Sequence, residues 1–520
     1  MSPSKLNGGE VSPLAPASSP MAAGSAATPL SGAVPRNALE RSPESDLDKQ
    51  NVGWKLKIPS SWNCLALIDC TKDGNISYGI VQPGMHDPDG VPIVRINNIE
   101  KGSLNLSEAL RVSTSIEEKF KKTRLEGGEV LLTLVGSTGQ SFVAPKSLCG
   151  WNVPRAIAVI RAKDEIGAKW INLCLQTKDT QQFLDERANT TVQKTLNLKD
   201  VRNLPIIIPP DWIKSRIENI ILSLDDKIEL NRRINQTLEE MAQALFKSWF
   251  VDFDPVRAKA AVYAAANSDP TDPTVGIGHA RSLRLGEQAE LAAMRVISGK
   301  TDDELVKFRQ EQPDAYAELA RTASLFPSSL IASDLGQIPE GWEVARVDSL
   351  LRRISVGKKY DQKTVSDYGD IPVLDQSASG VIGFHSDIPG VVASFEMPVV
   401  TFANHTCNMR LLQKSFSTIQ NVLPFVGEKA PTRWLYYATL GKIKLTEYKG
   451  HWPDYALQEV VVASSGIMER FDQVVCSFNM QNEIRQNQSS TLRILRDSLL
   501  PKLLSGELEI PDELLAEAAP

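Results

Sequence analysis

Several features that define common protein classes are missing from this chain of 520 residues. No apolar run reaches the roughly 18 residues that a membrane-spanning helix needs, and the N-terminus has no basic segment followed by an apolar one, as a secretory signal has. The six cysteines form no CxxC pair, so neither a zinc site nor a disulfide framework is expected. We therefore expect a cytoplasmic protein without a membrane anchor.

Catalytic motifs are equally scarce. The five histidines show neither HxxxH nor HExxH spacing, the patterns of metal sites on a helix. The segment GSTGQS (136–141) lacks the lysine of a nucleotide-hydrolase loop, and no GxSxG elbow is present. An adenine methyltransferase would show Asn or Asp followed by Pro-Pro-aromatic, which this sequence does not contain. We predict no self-contained active site and no metal site.

What the chain does contain is a long helical segment that occurs twice, 254 residues apart. Each copy follows a stretch of globular sequence, so two half-molecules are expected, and with them recognition of something that has two halves. The net charge of -6 does not by itself suggest a nucleic-acid binder. Matching positions of the two copies are Ile217 with Phe471, Leu224 with Phe478, Leu238 with Leu492, Met241 with Leu495, and Leu245 with Leu499.

The sequence pattern divides the chain into seven parts. Short alternating strands, interrupted by a helix, are typical of both globular stretches, which we call module one and module two. The predicted parts are a disordered N-terminal extension (1–50), module one (51–210), a first long helix (211–253), a linker with short helices (254–337), module two (338–465), a second long helix (466–506) and an acidic tail (507–520).

Apolar residues of the first long helix step by three and four over about five heptads, which is the pattern of a coiled-coil seam. Asn231 falls on this seam. It either fixes the register of the pair or lies partly exposed at the rim. We expect Leu238 to face the second helix around Leu492. The residues predicted for the coiled-coil seam or for subunit docking are Ile217, Leu224, Asn231, Leu238 and Leu245 in the first helix and Phe471, Phe478, Leu492, Leu495 and Leu499 in the second.

Local patches of positive charge suggest a polyanionic partner. Each module carries one basic stretch, EEKFKKTR (117–124) or LLRRISVGKKYDQK (350–363), and Lys and Arg neutralise DNA phosphates. The alternative is a solvated charged face. GSTGQS is either a tight turn or a backbone-rich loop that approaches a phosphate or a base edge. The candidate DNA-binding residues are Lys121, Lys122, Arg124, Ser137, Thr138, Gln140, Arg352, Arg353, Lys358, Lys359, Tyr360, His405 and His451.

Three long motifs point to a family. They are LEEMAQALFKSWFVDFDPVRAKA (238–260), LFPSSLIASDLGQIPEGWE (325–343) and LRDSLLPKLLSGEL (495–508). Together with GEVLLTLVGSTGQ (128–140), they make residues 51–508 resemble the specificity subunit of type I restriction–modification systems. The resemblance implies an α+β fold, in which two target recognition domains are separated by two long helices that pair as an antiparallel coiled coil.

The resemblance also implies a function. Each target recognition domain would read one half of a split double-stranded DNA site, and the helices would dock two methyltransferase subunits, which restriction and translocase subunits join. The chain would have no catalysis and bind no cofactor, so S-adenosylmethionine, ATP and Mg would belong to the partner subunits. One alternative is a coiled-coil assembly adaptor that binds protein and not DNA. A fused restriction–methylation enzyme is disfavoured by the missing motifs.

Overall fold

The structure is a computed structural model. It describes residues 58–508 apart from 101–102, 105, 107–108, 189–193, 269–277, 378–379, 446 and 448. The predicted disordered extension, and residues 509–520 of the predicted acidic tail, lie outside the described residues. Within them the predicted α+β fold is confirmed, because two modules of short strands and helices are separated by two long helices.

Module one is built on an antiparallel sheet in the strand order β2-β9-β7-β8, and its first strand, β1, pairs with its last, β10. Its strands are β1 (Asn63–Ala66), β2 (Thr71–Tyr78), β3 (Val91–Ile93), β4 (Ile99–Glu100), β5 (Ser103–Leu104), β6 (Leu110–Val112), β7 (Val130–Thr133), β8 (Ser141–Val143), β9 (Ile157–Ala162) and β10 (Pro205–Ile208). Its α-helices are α1 (Thr114–Glu117), α2 (Ala168–Leu175), α3 (Lys178–Arg187) and α4 (Leu198–Arg202).

The first long helix follows module one directly, and a helical insert then leads to module two. The first long helix is α5 (Asp211–Phe250), which ends three residues before the predicted boundary because Phe253 turns the chain with a positive φ of 56°. The insert, which was predicted to be a linker with short helices, includes a helix of 21 residues. It consists of α6 (Asp254–Ser268), α7 (Gly278–Ser298), α8 (Asp302–Glu311) and α9 (Pro313–Ser324), followed by a hairpin of β11 (Leu330–Ser333) and β12 (Gly336–Pro339).

Module two repeats the plan of module one. Its sheet has the order β14-β20-β17-β18, and its first strand, β13, pairs with its last, β21. The strands are β13 (Glu343–Arg346), β14 (Leu351–Arg353), β15 (Ile371–Leu374), β16 (Val381–His385), β17 (Val399–Ala403), β18 (Met409–Leu412), β19 (Ser417–Thr418), β20 (Val422–Gly427) and β21 (Glu459–Val462). The helices are α10 (Thr432–Thr439), α11 (Trp452–Ala456) and the second long helix, α12 (Ser465–Leu504).

The two long helices pair in antiparallel fashion. Asp225 of α5 forms an ion pair with Arg496 of α12 at 2.7 Å, whereas Asn235 donates to the backbone oxygen of residue 482 at 3.4 Å. Residue numbers therefore rise along one helix as they fall along the other. The expectation that Leu238 faces Leu492 is wrong, because residues related by the duplication lie towards opposite ends of an antiparallel pair.

The inner face of α12 differs in one position from the predicted seam. Ser489 and Arg496 form hydrogen bonds with α5. Leu492 and Leu499 follow them at intervals of three residues and therefore lie on the same face of α12. Leu495 is 43% exposed because it lies about 100° around the helix from Arg496. Its assignment to the seam is wrong. The remaining apolar seam positions are buried or half-buried: Ile217, Leu224, Leu238, Leu245, Phe471, Phe478, Leu492 and Leu499.

Asn231 is a buried polar residue in the middle of the pair. Its side chain is 2% exposed, and its amide group donates to Gln488 at 3.0 Å and to Ser489 at 3.2 Å. The interpretation as a partly exposed rim residue is therefore wrong. Register control stays a prediction, and the two hydrogen bonds supply the specific partners that such control needs.

Each end of the helix pair is part of the core of one module. Ile217 and Ile221 of α5 join module one's core together with Leu500 and Leu503 of α12. At the other end Phe246, Phe250 and Phe471 join the core of module two. Fully burying one such side chain contributes about 1.5–3 kcal/mol. A helix of 40 residues is about 60 Å long, so the modules lie at opposite ends of a long spacer.

We expect Leu238→Asp to lower the free energy of unfolding by about 3–5 kcal/mol, because it places an unpaired charge in the seam. Leu238 is 8% exposed. The matched control is Thr237→Asp on the exposed face, which should change stability by at most about 0.5 kcal/mol. Urea unfolding of the purified chain measures both. Equal midpoints for the two variants would show that the seam is open to water.

Candidate nucleic-acid interface

The two modules carry hairpin loops in equivalent positions. Loop one (134–140) joins β7 to β8, and loop two (404–408) joins β17 to β18, and these strand pairs occupy the same places in the two sheets. Loop one holds the predicted residues Ser137, Thr138 and Gln140, and loop two holds His405. The predicted DNA-binding residues of these two segments therefore lie at equivalent positions of the two modules, although the segments differ in sequence.

Loop one is a tight turn. Gly136 and Gly139 have positive φ values of 76° and 86°, and the Gly139 N–H donates to Thr133 O at 2.9 Å. A Cβ at Gly139 would lie 2.8 Å from Oε1 of Gln181, and the Nε2 of the same side chain donates to Gly139 O. Helix α3 therefore supports the loop from behind. The tight-turn interpretation is confirmed, and the contact with a phosphate or base edge stays a prediction.

The side chains of loop one differ in their availability. Ser137 and Gln140 are exposed and are free to meet a ligand. Thr138 is half-buried, and its hydroxyl oxygen has no hydrogen-bond partner within the part of the chain that the structure describes. Loop one therefore presents mainly Ser137 and Gln140 to a ligand.

Loop two is held by the segment that follows α10. The Nδ1 of His405 donates to Lys449 O at 2.9 Å, and its backbone N–H donates to Oε1 of Gln376 at 2.9 Å. His451 is 2% exposed, and its backbone N–H donates to Asn404 O at 2.8 Å. The prediction that His451 contacts DNA is therefore wrong, because a buried ring cannot reach a groove. His451 positions loop two instead.

Arg353 lies next to loop two. Its guanidinium is 5.1 Å from the ring centroid of Trp452, whose backbone N–H donates to Oδ1 of Asn404 at 2.9 Å. Arg352 points to the opposite side of strand β14 and lies 3.8 Å from Glu428. Trp452 therefore links Arg353 to loop two, which carries His405, whereas Arg352 lies on the other side of the strand.

Lys358 and Tyr360 belong to a second cluster of module two. Tyr360 is buried and stacks on His385 at 4.2 Å, and its hydroxyl donates to Asp387 at 3.1 Å. Lys358 is 3.0 Å from the same carboxylate. The ammonium of Lys358, followed by the Tyr360 hydroxyl, lowers the pKa of Asp387, and Asp387 raises the pKa of Lys358.

This cluster changes how two predicted residues are interpreted. The prediction that Tyr360 contacts DNA is wrong, because its ring is covered by the protein and its hydroxyl is already used. Burial, helped by Asp387, raises the pKa of Tyr360, so the phenol stays neutral. Lys359 is exposed and forms no ion pair with any described residue. Lys359 is therefore the cation of this cluster that is free to meet a phosphate.

The basic stretch of module one is fixed by its neighbours. Lys121 and Lys122 are exposed on a 3₁₀ turn, and Arg161 of β9 donates to Lys122 O at 2.8 Å. Arg124 pairs with the buried carboxylate of Glu117 and thereby lowers the pKa of Glu117. Because Arg161 lies at the end of β9 that is far from loop one, the structure does not bring this stretch and loop one together.

The sequence interpretation missed several residues that shape these sites. Trp452 could have been found from its place in the GHW tripeptide beside His451. Nothing in the sequence pointed to Asp387, which lies 29 residues after Lys358. In the described ranges no group of three His, Cys, Asp or Glu side chains could hold a metal ion, and none of the helices described is long and apolar enough to cross a membrane.

The architecture defines a class of protein with two similar modules at the two ends of an antiparallel helix pair. A family model described as the type I restriction modification DNA specificity domain matches residues 85–240. The type I restriction enzyme HindI specificity subunit of Haemophilus influenzae is 31% identical over 423 residues, which cover 74% of this chain and 88% of the relative. The chain belongs to the family of type I restriction enzyme specificity subunits.

Two further proteins are similar. The type I restriction enzyme MjaIX specificity subunit of Methanocaldococcus jannaschii is 21% identical over 418 residues, which cover 80% of this chain and 84% of the relative. The crystal structure of the S subunit of a type I restriction–modification system from M. genitalium superimposes with a TM-score of 0.41 and 12% identity. That comparison covers 86% of this chain and 98% of the other.

Proposed function

We propose that this chain reads a bipartite double-stranded DNA site for a type I restriction–modification complex. Module one reads one half of the site and module two reads the other. One observation carries this proposal: the same sheet, with an equivalent hairpin loop, occurs at each end of the antiparallel helix pair. A spacer of about 60 Å would leave an unread gap between the half-sites.

The division of labour within each module follows from chemistry. The exposed Gln140 of loop one and the half-buried His405 of loop two carry hydrogen-bonding groups of the kind that read base edges, where glutamine and similar side chains discriminate between base pairs. Exposed Lys121, Lys122, Arg353 and Lys359 are suited to phosphates, which supply affinity without sequence information. Because the two loops differ in sequence, the two half-sites should differ as well.

The helix pair offers two related surfaces for partner subunits. Met241, 48% exposed, lies towards module two, and its duplicate Leu495 lies towards module one. Leu230 and Ile484 also occupy matching positions of the duplication, and both are exposed near the middle of their helices. Exposed apolar side chains that are repeated in this way favour two copies of one partner. We propose that these copies are methyltransferase subunits.

In this proposal the chain contributes recognition and assembly, and the reactions belong to its partners. S-adenosylmethionine would bind to the methyltransferase subunits, and ATP and Mg would bind to restriction and translocase subunits that join the complex. The chain itself would act in the cytoplasm without binding a cofactor. The absence of an expected methyltransferase tetrapeptide from the sequence supports this assignment.

The experiment that tests the proposal is binding of a random DNA library by the complex of this chain with methyltransferase subunits, at several salt concentrations, followed by sequencing of methylated adenines. A two-part motif, with binding that weakens as salt rises, is expected. Assembly without any DNA binding would instead favour the coiled-coil adaptor. DNA binding without a two-part motif would contradict the reading by two modules.

For DNA affinity, we expect Lys359→Ala to have a larger effect than Lys358→Ala, because Asp387 already pairs with Lys358. Lys359→Ala should weaken binding to all sequences alike and reduce the slope of log affinity against log salt by about one unit. Lys358→Ala is the matched control in the adjacent position. A larger effect of Lys358→Ala, or a changed motif, would contradict this role.

For assembly, we expect Met241→Asp and Leu495→Asp each to remove one methyltransferase subunit and leave the other bound. Both positions are exposed, so the chain should fold normally. Native mass spectrometry of the complex counts the subunits directly, and Thr237→Asp on α5 serves as a control. Two bound copies in both variants would show that these side chains do not form the docking surfaces.

A further inference from the structure

The helical insert, residues 254–324, closes a ring of contacts around the end of the helix pair that carries module two. It begins where α5 ends, at the turn formed by Phe253, whose ring meets Trp342 edge-on at 5.7 Å. Ser248 of α5 donates to the Asp254 carboxylate at the start of α6 at 2.7 Å. The first helix of the insert is thus tied to the first long helix.

The last helix of the insert returns to the same place. Lys259 of α6 is buried, and its ammonium donates to Phe326 O, just beyond the end of α9, at 2.8 Å. The negative end of a helix favours a cation there. Phe326 in turn meets Trp249 of α5 edge-on at 5.2 Å. These contacts join the two ends of the insert to each other and to α5.

Arg470 links the insert to the second long helix. It forms an ion pair with Glu318 of α9 at 2.7 Å and donates to the hydroxyl of Thr322 at 2.9 Å. Two residues along α12, Asp472 pairs with the buried Arg433 of module two at 3.1 Å. The first turns of α12 therefore contact the insert through Arg470 and module two through Asp472.

Module one has no counterpart of this arrangement among the described residues. The described residues that follow α12, up to Leu508, form no further helix. Aliphatic side chains such as Ile217 and Leu500 hold module one on the pair. The ring of contacts is therefore an addition to one end of a molecule that is otherwise duplicated.

We propose that the insert is a brace, and that Arg470 is a positioning residue that fixes the angle of module two on the helix pair and so sets how strictly the gap length is read. This inference rests on the proposed bipartite reading. Without the brace the aromatic core still holds module two in place, but its angle can vary. The half-sites then stay the same, and sites with a slightly longer or shorter gap become acceptable.

The test measures adenine methylation by the full complex on a DNA library in which the two half-sites are separated by every gap from two base pairs shorter to two longer. Arg470→Ala should raise methylation at gaps of one base pair more or less several-fold, relative to the native gap. Glu318→Ala should have a smaller effect, because Arg470 keeps its hydrogen bond to Thr322. The double variant should match Arg470→Ala, because that change already removes the ion pair. Arg470→Lys keeps the charge and should restore much of the native profile.

Lys307→Ala is the control, because the ion pair that Lys307 forms among the described residues is with Glu311 of the same helix, α8. Comparing gaps within one sample makes the result independent of how much variant folds. A native gap profile for Arg470→Ala, an equal fall at every gap, or a changed half-site would overturn the brace. If the unaltered complex methylates no two-part motif, the proposed function fails together with the brace.

Discussion

The antiparallel pairing of the two long helices is the constraint on which the rest of the structure depends. Each helix is built into the cores of both modules, so that α5 supplies Ile217 to one and Phe246 to the other. The spacing between the modules is therefore a property of the helices and not of a flexible linker. Because both ends of each helix are anchored in the modules, the length of the helix pair determines the distance between the two modules.

The pair cannot be explained by apolar packing alone. Two helices bury only a narrow face against each other, and the middle of this pair is polar, with Asn231, Ser489 and the Asp225–Arg496 ion pair between the helices. The apolar side chains of Leu230 and Ile484 face outwards there. The polar interior supplies the specific partners that register control would need, and the apolar exterior is the surface that we propose for partner subunits.

The two ends of the molecule share a topology but not their packing chemistry. Module one is held on the pair mainly by aliphatic side chains, and Lys214 of α5 adds hydrogen bonds to the backbone oxygens of Glu165 and Ile166. Module two is held by an aromatic cluster around Phe250 and by several side-chain hydrogen bonds and ion pairs. In one of these, Tyr437 of α10 donates to Glu239 of α5 at 3.0 Å. Hydrogen bonds and ion pairs are directional, so they define an angle more sharply than aliphatic contacts do.

The sequence predicted the duplication, the two long helices and the α+β fold, because apolar periodicity and an offset of 254 residues are properties of the chain itself. It did not predict which residues face each other across the pair, since periodicity shows the inner face of a helix but not the direction of its partner. Leu495 was wrongly assigned to the inner face for a related reason. The face of α12 that contacts α5 runs through Ser489, Leu492 and Arg496, and apolar periodicity does not identify the polar members of such a face.

The candidate site was less predictable than the fold. Tyr360 and His451 are polar types in polar segments, and only tertiary contacts with His385 and Asn404 show that they are buried supports. Loops one and two share no sequence, so their equivalence became visible only through strand order. In contrast, the exposure of Lys121, Lys122 and Lys359 agrees with what charge alone suggests.

The central claim is that the helix pair sets the distance between the two DNA readers. Its most direct test lengthens both helices by four residues at the level where Asn235 contacts residue 482, followed by sequencing of the adenines that the complex methylates. Four residues add about 6 Å and roughly one helical turn, which corresponds to about two base pairs of DNA. We expect unchanged half-sites and a gap longer by one or two base pairs. An active complex with an unchanged gap would contradict this claim.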